Sequence, residues 1–181
     1  MFHSWKSTQP SPSTLPAPSY SLLPTAHLVT PRRWDLAVKF RFFQSRLGGS
    51  DLEEAERIYC WHIEQRSGHR MRQGIATDLW KLTLDDYVAE AEALLWAVKA
   101  FGFLFPDPRG RNIRVDPNGE LKDGSHRVAC ALALGIEELT VQHDPELAWA
   151  PPWGEAWFID HGMADEDLER LRQDWASIYA R

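Results

Sequence analysis

The chain has 181 residues, enough for one domain with a proper core and too few for two comfortable ones. It is 44% hydrophobic and 25% charged, a globular composition, and no run of about 18 apolar residues is present to span a membrane. A net charge of −6 argues against a free-standing binder of duplex nucleic acid, whose affinity comes largely from neutralising phosphates, and favours a small-molecule ligand.

Residues 1–24 hold five of the twelve prolines and many serines. Their composition predicts a disordered or loosely draped tail, with a single ordered domain over 25–181. The start lacks both a basic n-region and a continuous apolar stretch, so the expectation is a cytoplasmic protein. Cys60 and Cys130 fall in segments that read as helices, without a CxxC or a Cys/His cluster, and are expected as buried thiols.

HLV at 27–29 reads as a short strand. Thr30-Pro31 then reads as a helix start, and Leu36, Phe40, Phe43 and Leu47 recur at helical spacing as one buried stripe. Arg32, Asp35, Lys39 and Arg46 form the opposite stripe. Ser50–Glu53 has the form of a capping box opening a second helix to about Arg66, with Leu52, Ala55, Tyr59 and Ile63 toward the core and His62 at the stripe's edge. The polar, glycine-containing stretch 67–81 reads as a loop. Thr83 caps a third helix that Gly102 ends.

Ile113–Val115, the turn Asp116-Pro117-Asn118-Gly119, and Glu120–Asp123 predict a β-hairpin. A helix from Gly124 to about Leu134 follows, then Gly135 as its stop and a strand at 139–141. WAPPWGEAWF (149–158) is expected to pack across the domain, and Trp149, Trp153, Trp157 and Trp175 offer rings for core packing or base stacking. Residues 164–180 close the chain as an amphipathic helix through Leu168, Leu171, Trp175 and Ile178.

The chemistry concentrates in LKDGSHR (121–127). A helix N-terminus carries unpaired N–H groups and partial positive charge. Gly124 allows a tight turn and close approach, Ser125 adds a hydroxyl, His126 an imidazole and Arg127 a fork matched to phosphate oxygens. Together they predict a phosphate site. Asp123 would repel that anion and reads as a metal ligand, a ribose contact or a brace. The competing reading is an ordinary capped helix with surface His126 and Arg127.

From Ile113 to Val141, the hairpin ending in DG-x-HR, the Ala/Leu helix, its glycine stop and the short strand resemble the core of the ParB/sulfiredoxin-like fold. That resemblance implies an α/β (α+β) fold, a small mixed sheet with several packed helices, and nucleotide phosphates held by His126 and Arg127. Sulfiredoxins carry a catalytic cysteine where this chain has Ser125, so sulfinic acid reduction is disfavoured. ParB proteins add an arginine-rich motif and a helical DNA-binding domain, and neither is present. The comparison falls on the free-serine kinases of the fold, which phosphorylate a small hydroxyl from a nucleotide. A second segment, RWDLAVK (33–39), is similar to one seen upstream of DG-x-HR in ParB-like bacterial proteins encoded near surface-polysaccharide or secondary-metabolite genes.

The expectation is therefore a biosynthetic small-molecule kinase using ATP or ADP with magnesium, acting on an amino acid or sugar hydroxyl. Asp123, Gly124, Ser125, His126 and Arg127 would hold the nucleotide, with His126 also in the catalytic set. Lys39 would neutralise the moving phosphoryl group, and Asp35 would act as base or magnesium ligand. Arg33 and His62 would meet the acceptor. For Asp35 and Lys39 the competing reading is a surface i,i+4 ion pair. The alternatives in function are a non-catalytic nucleotide-binding regulator and a ParB-type nucleic-acid protein.

Overall fold

A computed structural model describes residues 18–49, 51–73, 81–107, 110–145 and 152–180. The chain is α+β, as expected: helices surround a four-stranded mixed sheet among the described residues. Its elements are β1 (Ser19–Pro24), a 3-10 turn at Thr25–Leu28, α1 (Asp35–Arg46), α2 (Leu52–Arg72), α3 (Leu84–Phe101), β2 (Ile113–Val115), β3 (Leu121–Asp123), α4 (Ser125–Leu134), β4 (Glu138–His143), α5 (Glu155–Asp160) and α6 (Asp165–Tyr179). The sheet order is β1-β4-β2-β3, with β2 parallel to β4 and the two outer pairings antiparallel.

The N-terminal segment departs from expectation. Ser19–Pro24 is not part of a draped tail but an edge strand paired with β4 over its whole length. The stretch read as a strand, 27–29, instead enters a 3-10 turn. Thr25 explains the change: its N–H donates to the Glu137 carbonyl and its hydroxyl to the Ile136 carbonyl, both at 2.7 Å, turning the chain off the ladder. The rest of the expected tail, 1–17, lies outside the described residues.

α1 begins at Asp35 rather than Pro31, because the Trp34 amide donates to the Trp153 carbonyl at 3.0 Å and a turn occupies 30–34. Leu36, Phe40 and Phe43 of its expected stripe are buried and Leu47 is partly so, but Ala37, Val38 and Phe42 are buried as well. The helix has no wet face along its first two turns, since α4, α2 and α6 all pack against it. Arg41 and Arg46 leave its far end through ion pairs to Asp174 and Glu92. α2 runs on to Arg72, so 67–72 is helix rather than loop, while 74–80 lies outside the described residues. Ser50, the expected cap of α2, also lies outside them.

The remaining elements follow their sequence signals. Thr83 and Asp86 form a reciprocal capping box at α3. In the hairpin turn the Asp116 carboxylate accepts from the amides of Asn118 and Glu120 at 2.8 and 2.9 Å. Gly135 ends α4 in the left-handed conformation. Val115, Leu121 and Val141 of the sheet share one buried core with Phe43, Ile63, Leu95 and Phe158. Both cysteines are free thiols, Cys130 buried and Cys60 half-buried, the latter pushed up to about 11 by burial.

Gly124 joins β3 to α4 at φ +89°, and a Cβ there would lie 3.0 Å from the Ile113 Cα. Its smallness serves the approach of β2 to the start of α4. Gly124→Ala is expected to lower the unfolding free energy by about 1–3 kcal/mol, read as a drop in the urea midpoint. Gly135→Ala, with φ +70° but open space around the added carbon, is expected to lose less.

Candidate functional site

Arg33, Asp35 and Lys39 form a fully buried ionic triad. Asp35 and Lys39 are 0% exposed and Arg33 is 1% exposed, so the reading as a solvated surface pair is excluded by position. Arg33 donates through Nε and Nη2 to the two Asp35 oxygens at 2.8 and 2.9 Å, and Lys39 Nζ donates to Oδ2 at 2.6 Å. The third arm of Arg33, Nη1, donates to the Leu121 carbonyl at 2.7 Å, fastening the start of α1 to β3. Burial by itself raises a carboxyl, but here the Arg33 and Lys39 charges outweigh it and hold Asp35 well below the usual carboxylate range. Lys39 is pushed down to about 8, chiefly by burial and against the pull of Asp35, with Arg66 and Arg33 adding to the fall.

More positive charge converges on this triad than it can neutralise. The guanidinium carbons of Arg33 and Arg66 and the Lys39 ammonium lie 5.5, 5.8 and 5.8 Å from the Trp153 ring centre. Arg66, on α2, donates to the hydroxyls of Ser67 and Tyr87, and no carboxylate pairs with it among the described residues. Lys81 lies over the Tyr87 ring and bonds Glu90, which also takes Arg111. Arg33, Lys39 and Arg66 thus face Asp35 alone.

His62 sits in the same wall. It is 0% exposed, among Trp153, Trp157 and Phe158, and neither ring nitrogen has a hydrogen-bond partner. Burial first, and Lys39 next, hold it well below the ordinary histidine range, so it stays neutral. A buried polar side chain with both nitrogens unsatisfied is rare and costly. It leaves an N–H donor without an acceptor near Lys39 and Arg66.

His126 closes the group from α4. Its Nε2 lies 2.9 Å from the Tyr59 hydroxyl, which also lies 3.3 Å from the Tyr87 carbonyl. Burial raises the Tyr59 phenol far above its ordinary value, so the hydroxyl keeps its proton. Burial, then the charges of Lys39, Lys81 and Arg66, push His126 well below its ordinary value. The ring is neutral, with one N–H and one lone pair. α4 starts without a side-chain cap.

The LKDGSHR motif (121–127) divides here. Neighbouring side chains on a helix diverge by roughly 100°, and Arg127 leaves α4 away from His126 to pair with Asp107 at 2.8 Å. It lines a separate groove with Phe103, Phe105 and Ile113. Asp123 is exposed and its carboxylate accepts the Gly124 amide at 2.7 Å, which makes it the brace of that turn. Ser125 is buried at the first position of α4. Of the residues singled out in the sequence, Arg33, Asp35, Lys39, His62 and His126 come together, whereas Asp123 and Arg127 do not join them. Trp149 lies outside the described residues.

Arg66 and Lys81, which were not singled out, complete the site together with Tyr59, expected only as a core residue, and Trp153, expected as one of four rings for packing or base stacking. Arg66 follows His62 by four residues and Tyr59 by seven, so one face of α2 carries all three, and that spacing was the available signal. Magnesium does not fit Asp35: both oxygens are taken by cationic donors. No group of three or more His, Cys, Asp or Glu side chains able to hold a metal is present among the described residues.

No protein-family model matches the chain, and neither the curated proteins nor the solved structures contain a significant match to it. Nor is any helix long and apolar enough to cross a membrane among the described residues.

Removing Asp35 leaves Arg33 and Lys39 buried without a counter-charge. Asp35→Ala is expected to cost about 3–5 kcal/mol in urea unfolding, and Lys39→Met less, because Arg33 still pairs with the carboxylate. A second expectation concerns acid. His62 and His126 stay neutral in the fold, while in the unfolded chain they take up protons near the ordinary histidine value of about 6.5. The unfolded state then binds more protons, so stability falls as pH drops through that value. The urea midpoint measured from neutral to mildly acidic pH should decline, and His62→Phe should flatten the decline.

Proposed function

We propose that the cluster of Arg33, Lys39, Arg66, His62 and His126 binds the phosphates of a nucleotide, and that the protein transfers a phosphoryl group to the hydroxyl of a small molecule such as an amino acid or sugar. The observation that carries this reading is the surplus of positive charge around one carboxylate, with Arg33 and Lys39 buried and Arg66 half-buried, joined by the unpartnered nitrogens of His62. A surplus of this kind is stabilised by an anion of more than one charge, and phosphates meet that need. The resemblance of the DG-x-HR hairpin and helix to the ParB/sulfiredoxin-like fold points to the same ligand.

Phosphoryl transfer asks mainly for positioning and charge compensation, because its transition state is loose. Arg66, without an acidic partner among the described residues, receives the phosphate oxygens, and Lys39 and Arg33 offset the charge that develops on the moving group. His126 offers an N–H or a lone pair to the acceptor hydroxyl, oriented by Tyr59. Asp35 acts as the anchor of Arg33 and Lys39 rather than as a base, since both of its oxygens are engaged. Any magnesium in the reaction is carried by the nucleotide phosphates. Because that carboxylate is already spent, nucleotide binding without turnover, as a regulatory switch, is the second reading.

Thermal shift with ATP, ADP, CTP and GTP, each with and without magnesium, tests the proposal, since a ligand that binds only the folded state raises the melting temperature. The expected result is a clear shift for one nucleotide. Arg66→Gln should lose it, while its own melting temperature stays near that of the parent because Arg66 makes no ion pair among the described residues. No shift with any nucleotide overturns the phosphate reading. A shift without transfer of γ-phosphate label to serine, homoserine or glucose leaves the switch.

A further inference from the structure

Among the described residues β1 bonds to β4 on one side only and forms an edge of the sheet, so the backbone groups of its other side face outward. Proteins usually blunt such an edge with charges, prolines or bulges. β1 reads SYSLLP: it has no charged residue, its only proline is the last, and its pairing with β4 runs through six residues without a shift. Alternation places Tyr20 and Leu22 on one face, where they are 45% and 57% exposed. Phe105 meets the Tyr20 ring edge-on at 5.0 Å, and Leu104 beside it is 65% exposed. Leu22 also borders a groove of about 330 Å³ whose wall includes Phe103, Ile136 and Leu139. An uncharged strand edge continuous with an apolar patch marks an association surface.

We propose that this edge pairs with the same edge of a second copy of the chain, β1 antiparallel to β1 across a two-fold axis, so that one sheet continues through both copies. The sequence of the strand selects this occupant. Centred on Ser21, the antiparallel pair sets Ser21 opposite Ser21, Ser19 opposite Leu23, and Tyr20 opposite Leu22 on the exposed face, twice by symmetry. Aromatic and aliphatic side chains meet across the strands, and no charge is opposed to its like. Centring on Leu22 instead would set Tyr20 against Pro24, which has no N–H to give. The surface lies outside the cation cluster and stands independently of its proposed activity.

The test uses the full chain. Light scattering behind size exclusion is expected to give twice the mass of the 20.8 kDa chain. Leu22→Lys, at an exposed position, should give the monomer mass with unchanged circular dichroism and melting behaviour at low concentration. Ser21→Cys should form a disulfide-linked dimer under mild oxidation, because directly opposed residues bring their Cα atoms to about 4.5–5.5 Å. Ser19→Cys, set opposite Leu23, should not, and the parent chain controls for Cys60 and Cys130. A monomeric parent overturns the proposal, whether residues 1–17 or nothing covers the edge. So does a dimer that survives Leu22→Lys, or one that Ser21→Cys fails to link.

Discussion

Arg33 divides its donors between two partners that are far apart in sequence, two N–H groups to Asp35 and one to the Leu121 carbonyl. That division ties the first residue of α1 to β3, and β3 leads through Gly124 directly into α4. One guanidinium thus adds a polar tie to the direct packing of α1 on α4. Burying three charged side chains is a poor route to stability, since each loses its water. What the triad does supply is register. An apolar replacement would let α1 slide or turn against the hairpin, whereas a planar fork bound on both edges accepts one geometry.

The same geometry explains why the core tolerates neutral histidines. His62 and His126 lie where a positive charge would meet Lys39 and Arg66 at short range, so proton binding is opposed by burial and by repulsion together. The site keeps its fixed cations on arginines, which hold their protons, and on one lysine whose proton is loosened to about 8. On the proposed reading this is an arrangement prepared for an anion and held at some cost to the empty fold, as binding sites commonly are. The orphaned nitrogens of His62 belong to the same account: an incomplete network inside a core is strained until a ligand completes it.

How far these features were legible in the sequence varies with their physical origin. Local signals held where local physics decides: the Thr83 cap, the Asp116 turn, the glycine flanks of α4 and the spacing of α6 all appear in place. The class of fold, expected from the resemblance of residues 113–141, is also the one observed. The gathering of Arg33, Asp35 and Lys39 near His126 was expected from resemblance, but their burial was not. Helical periodicity assumes that a polar stripe faces water, and α1 has helices on every side of its first turns. Arg66 and Lys81 escaped notice because they flank a stretch whose composition reads as loop, although the helix continues to Arg72. β1 was concealed by prolines and serines, which mask the period-two pattern of Tyr20 and Leu22 with Ser21 and Leu23 between them. The pairing of His126 with Arg127 failed for a simpler reason: adjacency in sequence separates side chains on a helix.

The order of the strands also keeps the two functional regions apart. β3, which receives Arg33 and delivers α4, is one edge of the sheet, and β1 is the other. Between them β4 and β2 run parallel, and α4 returns across the sheet to join β3 to β4. A two-fold association through β1 would therefore place the cation clusters of the two copies at the outer ends of a continuous sheet, each complete within its own chain. No residue of one copy would be needed to finish the site of the other. Binding at one cluster would reach the other only through strand pairing, and a sheet edge carrying neither cluster residue nor charge gives little differential contact for a ligand to act on. Assembly and ligand binding are on this architecture separable properties, so a chain held monomeric keeps the whole of its site.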